Sequence, residues 1–534
     1  MSRILVIGGY GGFGARLVRR LLANGHQVLV AGRSGAKAAA FCEGLRGAEP
    51  VVADRSNGIG LVMARERPDL VIDAAGPFQG SSYIVPEACI AMRIPYLDLA
   101  DSRAFVGGIE RLNKGGEISV PIVSGASSVP ALSGAVARAL AVPGMPAGQI
   151  EIAISASNRA VAGPAVAAAI LSYVGKPVFL WRGRRAATAY GWQELRRERF
   201  AIQGEVPMNR WVALAEVPDL DLLQGAIMGR PAITFRAGTE LGFQVIALWL
   251  LSWPVRWGWI GSLRPMARWL HQLQRLTAWA GNDRSAMSVT LKTDRVTRRW
   301  TLIASDGDGP EIPTLAAELL AEDILAGRVG ACAQDASCLL TLDRFEPLFN
   351  ELSIRHEITE WPVAPLYARA MGARFAALPA PVREMHMISG DAGAAGQGRV
   401  KRGKGLAHLL GRIMGFPPTG EYPVRVSFAE HAGKERWTRD FGGHCFTSEL
   451  SQAGQRVAER FGPLRFIFDL PSDGEGLRMA LMDWTLFGVP MPRFLGPRID
   501  AREWVAEGRF HFEVAVRMPV IGKVVHYTGW LARA

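Results

Sequence analysis

The chain is poor in the residues that staple extracellular proteins. Five of its 534 residues are cysteine (Cys42, Cys89, Cys332, Cys338 and Cys445), an odd number with no CxxC pair. That excludes a disulfide framework and a cysteine zinc site, and it predicts reduced thiols in a cytoplasmic setting. Lysine is scarce as well, eight of 61 basic residues. The apolar run that ends at Gly8 is too short for a signal peptide and passes straight into glycines. The apolar run 241–255 is broken by Pro254 and is shorter than the roughly twenty residues a bilayer-spanning helix needs. No GxSxG elbow, HExxH or GxxxxGK[ST] loop occurs, which removes the hydrolase, zincin and P-loop templates. The nine histidines are scattered singly, not at metal-ligand spacing.

What is present describes a large globular protein. With 49% hydrophobic and 21% charged residues, a chain of this length predicts about three domains at roughly 100–200 residues each. Bases exceed acids by 12, and residues 251–300 carry nine bases against Asp283 and Asp294, seven of the twelve excess charges. A second basic run, Arg399 to Lys404, lacks the interleaved aromatics of a nucleic-acid surface, so nucleic acid is not an expected partner.

Through residue 135 short β-branched runs (4–7, 27–31, 50–53, 70–73, 96–99 and 121–124) alternate with amphipathic stretches. This is the pattern of a doubly wound parallel α/β sheet of Rossmann type. Residues 136–365 read as an α+β second domain, a substrate domain. It contains the segment 241–280, with six of the fifteen tryptophans (Trp249, Trp253, Trp257, Trp259, Trp269 and Trp279). Within it Met266, Trp269, Leu270, Leu273 and Leu276 share a helical face opposite Arg264, Arg268, His271 and Arg275. Such a helix fits a membrane surface with anionic headgroups. The other reading is a helix pair in its own core or across a homodimer interface. Prolines at 362, 365, 379 and 381 mark a linker. Residues 380–534 alternate apolar and polar in seven runs, predicting an antiparallel β-rich domain, barrel-like or wrapped on a helix, with a filled core or one lipid-like ligand inside. Six of the nine histidines fall here, as surface or barrel-lining residues.

The chemistry is concentrated near the start. Gly9-Tyr10-Gly11-Gly12-Phe13-Gly14 fits GxGxxG between the first strand and the first helix. There the glycines permit the tight turn, the approach of a pyrophosphate and close helix–strand contact. The second strand ends Gly32-Arg33-Ser34, with no carboxylate to take a ribose 2′-hydroxyl. Arg33 and Ser34 suit a 2′-phosphate, so NADP(H) is expected over NAD(H). Asp54 follows the third strand and lies toward the adenine end. Ala74-Ala75-Gly76-Pro77-Phe78 follows the fourth, near the nicotinamide ribose, and Asp98, Asp101 and residues 124–130 lie at the next strand ends. For the carboxylates, a cap or solvated turn is an equal reading. No catalytic residue is assigned.

These residues carry a resemblance. Residues 7–14, Ala75 to Phe78, Tyr96 to Asp101 and 124–130 resemble the NADP-binding domain of the saccharopine dehydrogenase-like family. The likeness extends to about residue 140, and through Ser155 to Arg159 at the start of the second domain. It implies a reductase-type site between a cofactor domain and an α/β second domain, without implying saccharopine as substrate, since the family is broad and some members act on lipids. Residues from about 380 on are similar to a bacterial domain of unknown function, at Val400 to Gly403, Trp437 to Phe441 and Gly488 to Pro492. The expectation is an NADP(H)-dependent oxidoreductase with a small-molecule or lipid-like substrate. The alternative is an NADP(H)-binding sensor or scaffold without turnover, held at the inner face of a membrane through 241–280.

Overall fold

Each early strand is followed by a helix that returns the chain to the same edge, so the strands can pair only in parallel. The computed structural model describes residues 1–159, 163–267, 272 and 276–533. It contains β1 (Arg3–Ile7), α1 (Gly12–Ala23), β2 (Gln27–Gly32), α2 (Gly35–Cys42), β3 (Ala48–Val52), β4 (Leu70–Asp73), β5 (Tyr96–Asp98) and β6 (Ile122–Ser124). Their order is β3-β2-β1-β4-β5-β6, so the chain reverses direction across the sheet between β1 and β4. Leu17, Val18 and Leu21 of α1 are fully buried against the sheet.

The opposite face of α1 is covered from far along the chain. Arg16 pairs with Glu311 and Arg20 with Glu318, at the start of and within the helix Ile312–Leu325. Beyond it Ala333–Asp335 pairs in parallel with β6 as a seventh strand. The parallel sheet is therefore not completed within 1–135. A three-residue Ala-Gln-Asp strand has no periodicity by which to be read.

The second sheet runs Arg196–Phe200, Met208–Leu214, Ala232–Thr239, Gln149–Ala156, Ser285–Lys292, Val296–Ala304 and Ile354–Pro362. Only the pair Ala232–Thr239 with Gln149–Ala156 is parallel. Ile152, Phe235, Val289 and Trp300 belong to the same buried cluster as the cofactor-domain residues Val6, Val30 and Ile72. Four of the nine bases of 251–300 are paired here: Lys292 with Glu151 and Glu430, Arg299 with Glu198, Arg298 with Glu360 and Arg284 with Glu205.

The two domains also meet at Ser133, whose hydroxyl donates to the fully buried Asp219. Burial pushes the Asp219 carboxyl up to about 7, with the Ser133 bond opposing. A folded-state pKa above the unfolded value means that stability falls as pH rises from about 4 through about 7. Asp219→Asn is expected to melt higher than the parent at pH 8 and close to it at pH 4. An equal or lower melting temperature at pH 8 would refute this origin.

The helix Gly242–Arg256 buries Val245, Leu248 and Val255 in a cluster with Leu171 and Val174, which belong to or follow the helix Pro164–Tyr173. Phe243 and Leu250 are exposed on its other side, as are Trp257, Trp259 and Trp279 beyond it. Met266 lies in a short turn, Arg264–Met266. Arg268, Trp269, Leu270, His271, Leu273 and Arg275 of the expected amphipathic helix lie outside the described residues. Among the described residues no helix is long and apolar enough to cross a membrane.

The C-terminal strands close on themselves. Ten antiparallel strands follow the spatial order Leu464–Asp469, Arg456–Phe461, His444–Ala453, Lys434–Phe441, Gly420–His431, Asp391–Arg402, Gly522–Arg533, Arg509–Met518, Arg498–Ala506 and Gly476–Leu486, and the last pairs with the first. Val489–Pro490 adds a short eleventh strand at one side. Asp391–Arg402 escapes the seven-run reading because it is glycine-rich, yet a side chain at Gly396 would collide with the Trp530 carbonyl. Glycine is therefore what lets the ring close there.

The expected linker is corrected. Pro362 ends the strand Ile354–Pro362, Pro365 caps Leu366–Met371, and Pro379 caps Ala380–Met385, which also contains Pro381. The segment is helical. With Ala373–Ala376 these helices bury Leu366, Tyr367, Met371, Phe375, Val382 and Met385 in the barrel core.

Candidate functional site

The turn between β1 and α1 folds as glycine demands. Gly8 takes φ +78°, and the Gly11 N–H donates to the Gly8 carbonyl at 2.8 Å. A side chain at Gly14 would collide with that same carbonyl, and one at Gly9 would stand 2.9 Å from the Val6 carbonyl. At Gly12 a side chain would meet nothing within 4 Å, so the loop is open on its outer face. Gly11 caps α1 without a side-chain bond, and the first turn holds no acid. Its N–H groups are left to an anion.

Tyr10 lies over Gly32, where a side chain would strike its ring, and its hydroxyl accepts from the Ser34 N–H at 3.1 Å. Phe13 is partly buried against the main core. Arg33 is exposed on the cleft with no ion-pair partner among the described residues. Ser34 Oγ caps α2, accepting from the Lys37 N–H at 3.4 Å. Asp54 is exposed and accepts from the Ser56 N–H at 2.9 Å, a local turn at the cleft wall.

Sequence reasoning passed over the next residue. Arg55 lies 3.0 Å from the buried Asp73 carboxylate, donates to the Ala75 carbonyl at 2.7 Å and stacks 4.7 Å from the Phe78 ring centre. It fastens the loop Ala74 to Phe78 to the end of β4, so that Ala75, Gly76 and Pro77 face the cleft. The available signal was a cation after β3 and an acid closing β4, both at the carboxyl edge of one sheet. Burial pushes Asp73 up, while Arg55 opposes this.

Asp98 has a structural place. Fully buried, it accepts from the N–H groups of Gly125 (2.8 Å) and Ala100 (3.0 Å) and from Ser124 Oγ (3.0 Å). Burial outweighs these bonds and raises it to about 6. Asp101 instead faces the cleft, accepting from the Gln79 amide at 3.1 Å.

The cleft runs on into the second domain as one cavity of about 1460 Å³. Beyond the strand ends its apolar wall is formed by Val166, Ile170, Phe235, Phe243, Leu248 and Leu251, and Arg159, Gln244 and Arg264 also face it. At the junction lie Asp101, Tyr173 and Glu216. Burial raises the Tyr173 phenol far above its ordinary range, and the Asp101 and Glu216 carboxylates add to this. Burial also raises Glu216, which Arg103 partly counters at 3.4 Å. Neither Tyr173 nor Glu216 stands in a motif.

Residues 4–114 match the model of the saccharopine dehydrogenase NADP binding domain. The first domain is a saccharopine dehydrogenase NADP-binding domain. NADP(H) is its cofactor, and an oxidoreductase family is its setting. The open glycine turn, the uncapped start of α1 and the exposed Arg33 fit the pyrophosphate and 2′-phosphate of that cofactor. Residues 378–531 match a domain of unknown function (DUF4166). Among solved structures the chain is similar to the L-Glu-forming saccharopine dehydrogenase of Saccharomyces cerevisiae. That match has 12% identity, 67% of this chain and 100% of that one covered, and a TM-score of 0.46. An oxidoreductase of the short chain dehydrogenase/reductase family from Burkholderia thailandensis matches at 27% identity over 18% of this chain and 50% of that one, TM-score 0.16. The enzyme WbmG of Bordetella bronchiseptica, in complex with NAD, matches at 20% identity over 18% and 36%, TM-score 0.17. No curated protein sequence matches.

Proposed function

We propose that the protein is an NADP(H)-dependent oxidoreductase whose substrate is largely apolar and lipid-like. The supporting observation is the continuity of the cofactor cleft with a cavity walled by Val166, Ile170, Phe235, Phe243, Leu248 and Leu251. Apolar surface of this extent rewards burial of aliphatic groups at about 25 cal/mol per Å², and the polar side chains of the same cavity, Arg159, Gln244 and Arg264 among them, are left for a head group. Bound NADP(H) supplies the hydride. Gly9, Gly11, Gly14 and the start of α1 hold its phosphates, and Arg33 takes the 2′-phosphate. Arg55 fixes the loop Ala74 to Phe78 beside the reacting end. Tyr173, kept as a neutral phenol by burial and two carboxylates, gives the substrate its proton in the direction of reduction.

The test is NADPH consumption by the full chain against two sets of compounds: medium- and long-chain enones, enoyl esters and ketones, and short polar 2-oxo acids with amino acids. Turnover confined to the apolar set is expected. Preference for the polar set would overturn the substrate class. Tight NADPH binding with no turnover in either set would favour a sensor or scaffold.

A further inference from the structure

The barrel encloses a second cavity, about 620 Å³, apart from the cofactor cleft. Eight strands already give an interior that side chains can fill or that holds one small ligand. This ring has ten. At one end the space is bounded by Tyr367 and Trp437, and His386 stacks on Tyr367 with ring centres 3.7 Å apart. At the helix Leu406–Ile413 it is bounded by Leu410 and Ile413, and Ile413 is exposed to solvent as well, as are Leu406 and Leu409. Between these limits the walls are almost wholly aromatic or aliphatic.

Two cations interrupt them, Arg439 and Arg502. Arg439 lines the cavity, donating to Ser448 Oγ at 2.9 Å and to Glu459 at 3.2 Å, with its guanidinium 5.1 Å from the Trp437 ring centre. A guanidinium carries five N–H donors, so these two bonds leave others for a ligand. Glu459 and Glu503 also line the space and balance the two cations, so the lining has no surplus positive charge to compensate a buried ligand carboxylate. A neutral carbonyl needs none.

We propose that the C-terminal barrel is a second binding site, for one neutral lipid-like molecule whose aliphatic chain lies among the aromatic walls and whose ester or ketone oxygen accepts from Arg439. A volume of about 620 Å³ lies within the roughly 300–1,000 Å³ of small-molecule sites. The site stands independently of the oxidoreductase reading.

The test uses the full chain and two polyene fluorophores, methyl cis-parinarate and free cis-parinaric acid. The ester is expected to bind saturably, and the acid at least about tenfold more weakly. Ala501→Trp and Val514→Phe, facing neighbours that line the barrel, are expected to abolish the ester signal. Ala237→Phe, in the cofactor cleft, should leave it, and Arg439→Met should weaken the ester without letting the acid bind more tightly than in the parent. Thermal melting accompanies each variant, and Val514→Phe decides if Ala501→Trp does not fold. Absence of saturable ester binding, or full binding by barrel variants that melt like the parent, overturns the proposal. Acid binding as tightly as ester overturns the neutral head group. A signal lost only in Ala237→Phe places the lipid in the cleft, which overturns the barrel site and leaves the oxidoreductase reading standing.

Discussion

Arg33→Ala is expected to weaken NADPH binding by about 1.5–3 kcal/mol, roughly ten- to a hundredfold, while NADH binding stays nearly unchanged. Arg33 leaves the end of β2 where a dinucleotide's adenine ribose lies in this class of sheet, and it is exposed on the cleft. Having no ion-pair partner among the described residues, its guanidinium breaks no protein contact to bind a phosphate, so removing it should cost the charge-assisted bonds and little else. Stability should move by less than about 0.5 kcal/mol, as for surface substitutions away from special features. Titration calorimetry with both cofactors decides the matter. Equal losses for NADPH and NADH would mean that Arg33 shapes the whole loop, and the 2′-phosphate would need another partner.

The cofactor half was legible because its requirements are local. Gly9, Gly11 and Gly14 are dictated by backbone clearance within one turn, and the missing acid after β2 is a statement about one position. What escaped the sequence depends on contacts between distant segments. Arg55 acquires its role only because β3 and β4 end on one edge, with β1 and β2 between them. Ala333–Asp335 becomes a strand because β6 offers a free edge. The prolines at 365 and 379 looked like a linker, since proline commonly marks loops. Here they cap helices whose apolar faces the barrel interior buries. Asp101, Tyr173 and Glu216 come from three segments more than forty residues apart in sequence, so only the fold shows them around one cavity.

Tyr173→Phe is expected to lower kcat about 10²–10⁴-fold, the range for loss of a general acid or base, with the Kd for NADPH unchanged. The aromatic ring remains, so the wall of the cavity is preserved and only the hydroxyl group is lost. The pH profile separates proton transfer from shape. Folded-state burial and the carboxylates of Asp101 and Glu216 hold the tyrosine pKa above its ordinary value. The donor therefore stays protonated through the neutral range, and the parent's kcat should decline only above the usual tyrosine range. In the Phe variant that alkaline decline should vanish along with the rate. Asp101→Asn removes one of the charges that raise Tyr173, so the decline should move to lower pH while the phenol still works. If Tyr173→Phe keeps kcat within about threefold of the parent, well short of the factor a positioned acid supplies, the proton does not come from Tyr173. Asp101, the carboxyl facing the same cavity, would then be the group to replace next.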